Sequence, residues 1–191
     1  LVATLGRPMG FFDPTNPADM PLPKLKKEDD AAKARTRDEQ SNEGTEWSDR
    51  SPLLSFAQTD MAFKGDVLVT GNYHGFNIYR LTDAKAPTLL SSVVCPGGQG
   101  DVSIVGDLLI MSVEQTLGRV DCGRQGVKDE VSKERFRGLR IFDISDLTSP
   151  QQVGQVQTCR GSHTHSVVAE DKDRIVVYNS GTAGVRKGEE L

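Results

Sequence analysis

Apolar residues fall along this chain in short runs rather than long stripes. From Ser55 onward, segments such as DVLVTG, GFNIYRL, SSVV, DLLIMSV, GLRIFDI, VGQVQT and RIVVYNS are separated by Gly, Asp, Asn and Pro. Short runs rich in Val, Ile, Leu and aromatic residues, bounded by turn formers, predict an all-β fold. No long segment repeats its apolar positions with helical spacing. Apolar and polar residues alternate in GLRIFDIS, so Ile141 and Phe142, like Ile78 and Tyr79 in GFNIYRL, are expected within strands. Ile78 and Ile141 are expected to be buried at equivalent positions.

The chain resembles itself. TDMAFKGDVLVTG, from Thr59, aligns without a gap to GDVSIVGDLLIMS, from Gly100, at an offset of 41 residues. Asp60 falls on Asp101, Gly65 on Gly106 and Asp66 on Asp107. GFNIYRLTDAKAPTLLSSV, from Gly75, aligns to GLRIFDISDLTSPQQVGQV, from Gly138, at an offset of 63. The difference marks an insertion at about 114–137 that holds Cys122. A third copy begins near His165.

A period of about 41 residues with four short strands is the size of one β-propeller blade. The expected fold is an incomplete propeller over residues 51–191, with two full blades and the start of a third. Asp60, Asp101 and His165 are expected to begin successive first strands, the last with one residue of slippage. A closed ring takes ~4–8 blades, so further blades are expected from a longer chain or from partner chains. The sequence opens on Leu1 rather than Met, which fits either a processed product or a sequence that omits the true start. Residues 1–50 read differently: five prolines precede a charged run from Lys24 to Glu46, and few apolar residues follow Leu25. Such a stretch has no core of its own and is expected to be an extended, partly disordered arm. Trp47 is a candidate anchor for it.

Formal net charge is −4, which argues against a nucleic-acid partner, since that requires a basic face. No run approaches the ~18 apolar residues of a membrane span. No catalytic residue or cofactor-binding motif is evident. The glycines of CPGGQGD precede no helix, so they do not form a phosphate loop. Ser103, Ser162 and Ser166 lack a nucleophile elbow. His74, in GNYHGF, reads as a surface residue at a tight connection.

GLRIFDISDLTSP, and more weakly GFNIYRLTDAKAP, resembles the LVIVD-repeat family of bacterial propeller proteins. SSVVCPGGQGDVSIVGDLLIMSVEQ and VQTCRGSHTHSVV look like a large, mostly secreted and largely uncharacterised branch of it. The resemblance covers about residues 51–186. It implies a propeller and an exported location (extracellular, periplasmic or cell-surface) without implying a reaction. In an oxidising compartment disulfides persist, so Cys122 is expected to pair with Cys95 or Cys159. Cys95 and Cys159 occupy nearly the same place in successive copies and are not expected to pair with each other.

His163 and His165 form an H-x-H pair where small polar residues give way to an apolar strand. With Asp101 and Asp60 they make a donor set suited to a divalent metal ion, the one cofactor the sequence supports. The bland alternative gives the carboxylates to loop capping and the histidines to a buried polar network. Two functions follow. One is an exported scaffold or binding module for a protein, carbohydrate or cell-surface component. The other is a metal-dependent enzyme, an oxidoreductase or hydrolase, with its ion at the mouth of the propeller channel.

Overall fold

A computed structural model describes residues 58–184, apart from 84, 116–117, 124–125 and 128–130. The arm expected at residues 1–50, with Trp47, lies outside the described residues. The described chain is all-β, with no helix and ten strands in antiparallel sheets. The first sheet holds β1 (Gln58–Lys64), β2 (Val67–Asn72), β3 (Gly75–Arg80) and β4 (Thr88–Val94), in that order. The second holds β5 (Val102–Val105), β6 (Leu108–Val113), β7 (Gly138–Asp143) and β8 (Gln151–Gln157), again in chain order. A third sheet pairs β9 (Thr164–Glu170) with β10 (Ile175–Ser180). β1 lies beside β5, and β5 beside β9.

The two four-stranded sheets match in detail. Each has one extra residue in its fourth strand, Leu90 in β4 and Val153 in β8, opposite the step from Ile78 to Tyr79 and from Ile141 to Phe142. Gly75 and Gly138 open their strands at φ +146° and +145°, where a Cβ would run into the carbonyl oxygen of Val93 or Val156. Glycine is therefore required at both. Asp83 and Asp146 turn the chain between third and fourth strands by accepting the backbone N–H two residues on, at 2.8 and 2.9 Å.

The core lies between the two sheets. Val67, Val69, Phe76 and Ile78 of the first pack with Val102, Leu109, Met111, Phe142 and Ile144 of the second. Phe76 and Phe142 meet edge to face with ring centroids 4.9 Å apart. Fully burying one such side chain contributes about 1.5–3 kcal/mol.

Ile78 is buried as expected, but Ile141 is only half-buried. Phe142 turns to the core, so alternation sends Ile141 to the opposite face. There the neighbouring third sheet has only two strands among the described residues. His74 also departs from expectation, being buried rather than exposed. The CPGGQG segment returns over the β2–β3 turn, with Cys95 N–H donating to the His74 carbonyl at 2.6 Å. A Cβ at Gly100 would lie 2.7 Å from the Asn72 carbonyl oxygen. Gly100 thus serves close backbone approach, whereas Gly97 leaves room for the Val113 side chain.

Candidate functional site

The first strands are stapled to one another. The Asp60 carboxylate accepts the backbone N–H of Val102 at 2.9 Å. One unit later, the Asp101 carboxylate accepts the backbone N–H of His165 at 2.7 Å. Val102 and His165 are therefore equivalent, and Thr164, not His165, is the counterpart of Asp101. At the other end of β1, Lys64 Nζ donates to the Gly106 carbonyl at 2.7 Å and pairs with Asp107 at 3.0 Å. That exposed ion pair is worth at most about 1 kcal/mol.

Around His165 the staple widens into a network. The buried ring's Nδ1 lies 2.9 Å from Asp101 Oδ2 and 2.8 Å from Ser112 Oγ. Ser112 Oγ in turn lies 2.7 Å from Ser162 Oγ. Burial pushes the Asp101 carboxyl up, but hydrogen bonds from the ring and the N–H of His165 outweigh it and hold the group below its ordinary value. His165 Nε2 is buried and has no hydrogen-bond partner.

Ser, His and Asp meet here, yet the geometry differs from a hydrolytic triad. There the nucleophile and the carboxylate address opposite ring nitrogens, whereas Ser112 and Asp101 both address Nδ1.

His163 is engaged elsewhere. Its Nδ1 lies 2.6 Å from Glu114 Oε2, which also accepts from Thr182 Oγ1 at 2.9 Å. The expected ligand set of His163, His165, Asp101 and Asp60 is thus not assembled around one point. Among the described residues, no three His, Cys, Asp or Glu side chains are placed to hold a metal ion. The physical reason is that the end of β6 offers the two rings different partners. Ser112 and Glu114, two residues apart, each capture one ring. Neither residue carried a signal in the sequence, because its role depends on which strand comes alongside.

A second polar cluster sits under the insertion. Cys122 pairs with Cys95, one of its two expected partners, and Cys159 is free and exposed. Arg119 is buried and bonds Asp121 at 2.8 Å and Glu134 at 2.6 Å. The Arg119 hydrogen bonds hold the Asp121 carboxyl far below the usual range. Arg140 is fully buried, with its guanidinium 5.0 Å from the Phe136 ring centroid.

No helix among the described residues is long and apolar enough to cross a membrane. No protein-family model matches this sequence, and no curated protein matches it. Among solved structures it is similar to the "Crystal structure of the computationally designed Ika4 protein", at 12% sequence identity and a TM-score of 0.30, over 65% of this chain and 92% of that one. A similarity at that score carries no argument about fold or function.

Proposed function

We propose that this chain forms successive blades of an exported β-propeller that acts as a scaffold or binding module. Its partner is a protein, carbohydrate or cell-surface component. The observation that carries the reading is the cystine-pinned insertion between β6 and β7. Residues 114–137 interrupt an otherwise matching unit, and their disulfide fixes them to the end of the neighbouring sheet. A segment tethered this way loses less freedom on binding than an untethered one. The matching sheets and adjoining first strands support the propeller part of the reading. Exposed Met61 and Phe63 on β1 and Tyr178 on β10 mark the faces that further blades would cover.

The test uses labelled protein and cell-envelope material, with a variant in which residues 120–133 are replaced by a short Gly-Ser turn. Saturable binding that the variant loses supports the reading. Equal binding by both proteins, or none by either, defeats it.

One observation favours the second reading, a metal-dependent oxidoreductase or hydrolase. A carboxylate on Nδ1 and a buried, unpartnered Nε2 is the arrangement that metal-binding histidines use. In that reading His165 is a ligand and Asp101 orients it, with other ligands from further blades. Metal analysis of the purified full-length protein separates the two: a stoichiometric ion released by His165→Ala favours the enzyme.

A further inference from the structure

We propose that the Cys95–Cys122 disulfide is a reversible tether opened by dithiol reductants, and that buried Arg140 promotes opening by holding the thiolate of Cys95. Arg140 stands where the first copy has Asn77, which pairs with Ser92 at 2.9 Å. The second copy thus places a cation beside the cystine. Arg140 Nη1 lies 2.6 Å from Cys95 Sγ, 2.8 Å from Cys122 Sγ and 3.4 Å from Gln152 Oε1. Its Nη2 donates to the carbonyls of Arg119, at 2.6 Å, and Pro96, at 3.4 Å. None of these partners is charged.

The surrounding charges leave that cation in want of an anion. Arg119 is satisfied by Asp121 and Glu134. Asp121 reaches Arg140 only through space, and burial pulls the guanidinium down to about 10. A buried cation without a bonded anion is costly. Opening the disulfide supplies the anion at contact distance. A neighbouring cation lowers a thiol's pKa, and a leaving thiol of lower pKa departs faster.

The burial of the two sulfurs orders the steps. Cys95 is fully buried and Cys122 only partly. A reductant thiolate attacks Cys122 Sγ, forming a mixed disulfide, and the Sγ–Sγ bond breaks with its electron pair on Cys95, beside Arg140. The reductant's second thiolate then closes its own disulfide and releases Cys122, which takes up a proton. Two electrons pass from the dithiol to the cysteine pair. The Cys122 thiol then has Gln152 Oε1, 3.3 Å away, as an acceptor. Cys122 also sits at φ +56°, in the left-handed region that residues other than glycine seldom occupy. Opening frees this turn to relax and releases the insertion from the first sheet.

The experiment equilibrates the folded full chain, in a Cys159→Ser background, with graded ratios of reduced to oxidised dithiothreitol. The open fraction is read by alkylation and mass spectrometry. Arg140→Met is expected to need at least a tenfold higher ratio for half-opening, about 30 mV for a two-electron couple, with Arg140→Lys in between. In the opened parent protein, the pH dependence of Cys95 alkylation is expected to give a pKa below the ordinary value of about 8.5. Equal opening ratios for Arg140→Met and its parent overturn the proposal. So does a Cys95 pKa at or above the ordinary value, a readout that needs no Arg140 variant to fold.

Discussion

Asp101 holds His165 at two points, its backbone N–H at 2.7 Å and its ring Nδ1 at 2.9 Å. Asp60 holds Val102 only through the backbone N–H. The two staples are alike in place and unequal in strength. Charge-assisted hydrogen bonds contribute about 1.5–3 kcal/mol each. Asp101→Ala is therefore expected to cost more than Asp60→Ala in urea denaturation, by about 1 kcal/mol or more. Equal losses would show that the ring contact adds nothing.

The same contact sets a pH dependence. The Asp101 carboxyl is depressed in the folded protein, so its contribution is complete above the unfolded value of about 3.9. It is lost as pH falls through the folded value, because the unfolded chain takes up the proton first. The stability difference between the parent protein and Asp101→Asn is expected to shrink as pH falls below about 4. A difference that grows on acidification would contradict this assignment.

Ile78 and Ile141 occupy matching places but different surroundings. Ile78→Ala is expected to cost about 2–5 kcal/mol, as for a packed core position. Ile141→Ala, on a half-buried face, is expected to cost at least about 1 kcal/mol less. Chemical denaturation of the two variants reads this directly, and equal costs would mean that the Ile141 face is covered.

Gly138 has no room for a side chain. Gly138→Ala combines an unfavourable φ with a clash against the Val156 carbonyl. Backbone strain of this kind costs about 1–3 kcal/mol before the clash is counted. A melting temperature unchanged by the substitution would show that the strand start is not held as described.

The cystine gives a simple count. The unreduced, denatured protein is expected to show one reactive thiol, that of Cys159. Three thiols would remove the Cys95–Cys122 bond.

Most of the strand pattern was legible in the sequence because turn chemistry is local. Asp83 and Asp146 act on the backbone two residues on, and Gly75 and Gly138 recur at the same offset, so a fixed offset exposes all four. Sidedness was harder. Ile141 matches Ile78, but the matching face of the second sheet looks toward the two-stranded third sheet, and no local pattern reports what lies across a gap. The candidate site was legible in part. Asp60, Asp101 and His165 do fall at adjoining first strands, although Thr164 takes the place expected for His165. The separation of His163 from His165 depends on Ser112 and Glu114, and the setting of Arg140 on a loop tied down elsewhere. Such roles arise from tertiary approach and leave no spacing to read.

The joint between first strands has one partner that is main chain. Val102 and His165 share almost nothing as side chains, yet each offers the same amide to the carboxylate before it. An acceptor that asks only for an amide puts no demand on the identity of the residue that follows. The receiving position is free to become an aliphatic filler in one place and an imidazole in another, with the connection between neighbours unbroken. Chemistry can thus be added or withdrawn at the seam without redesigning the seam.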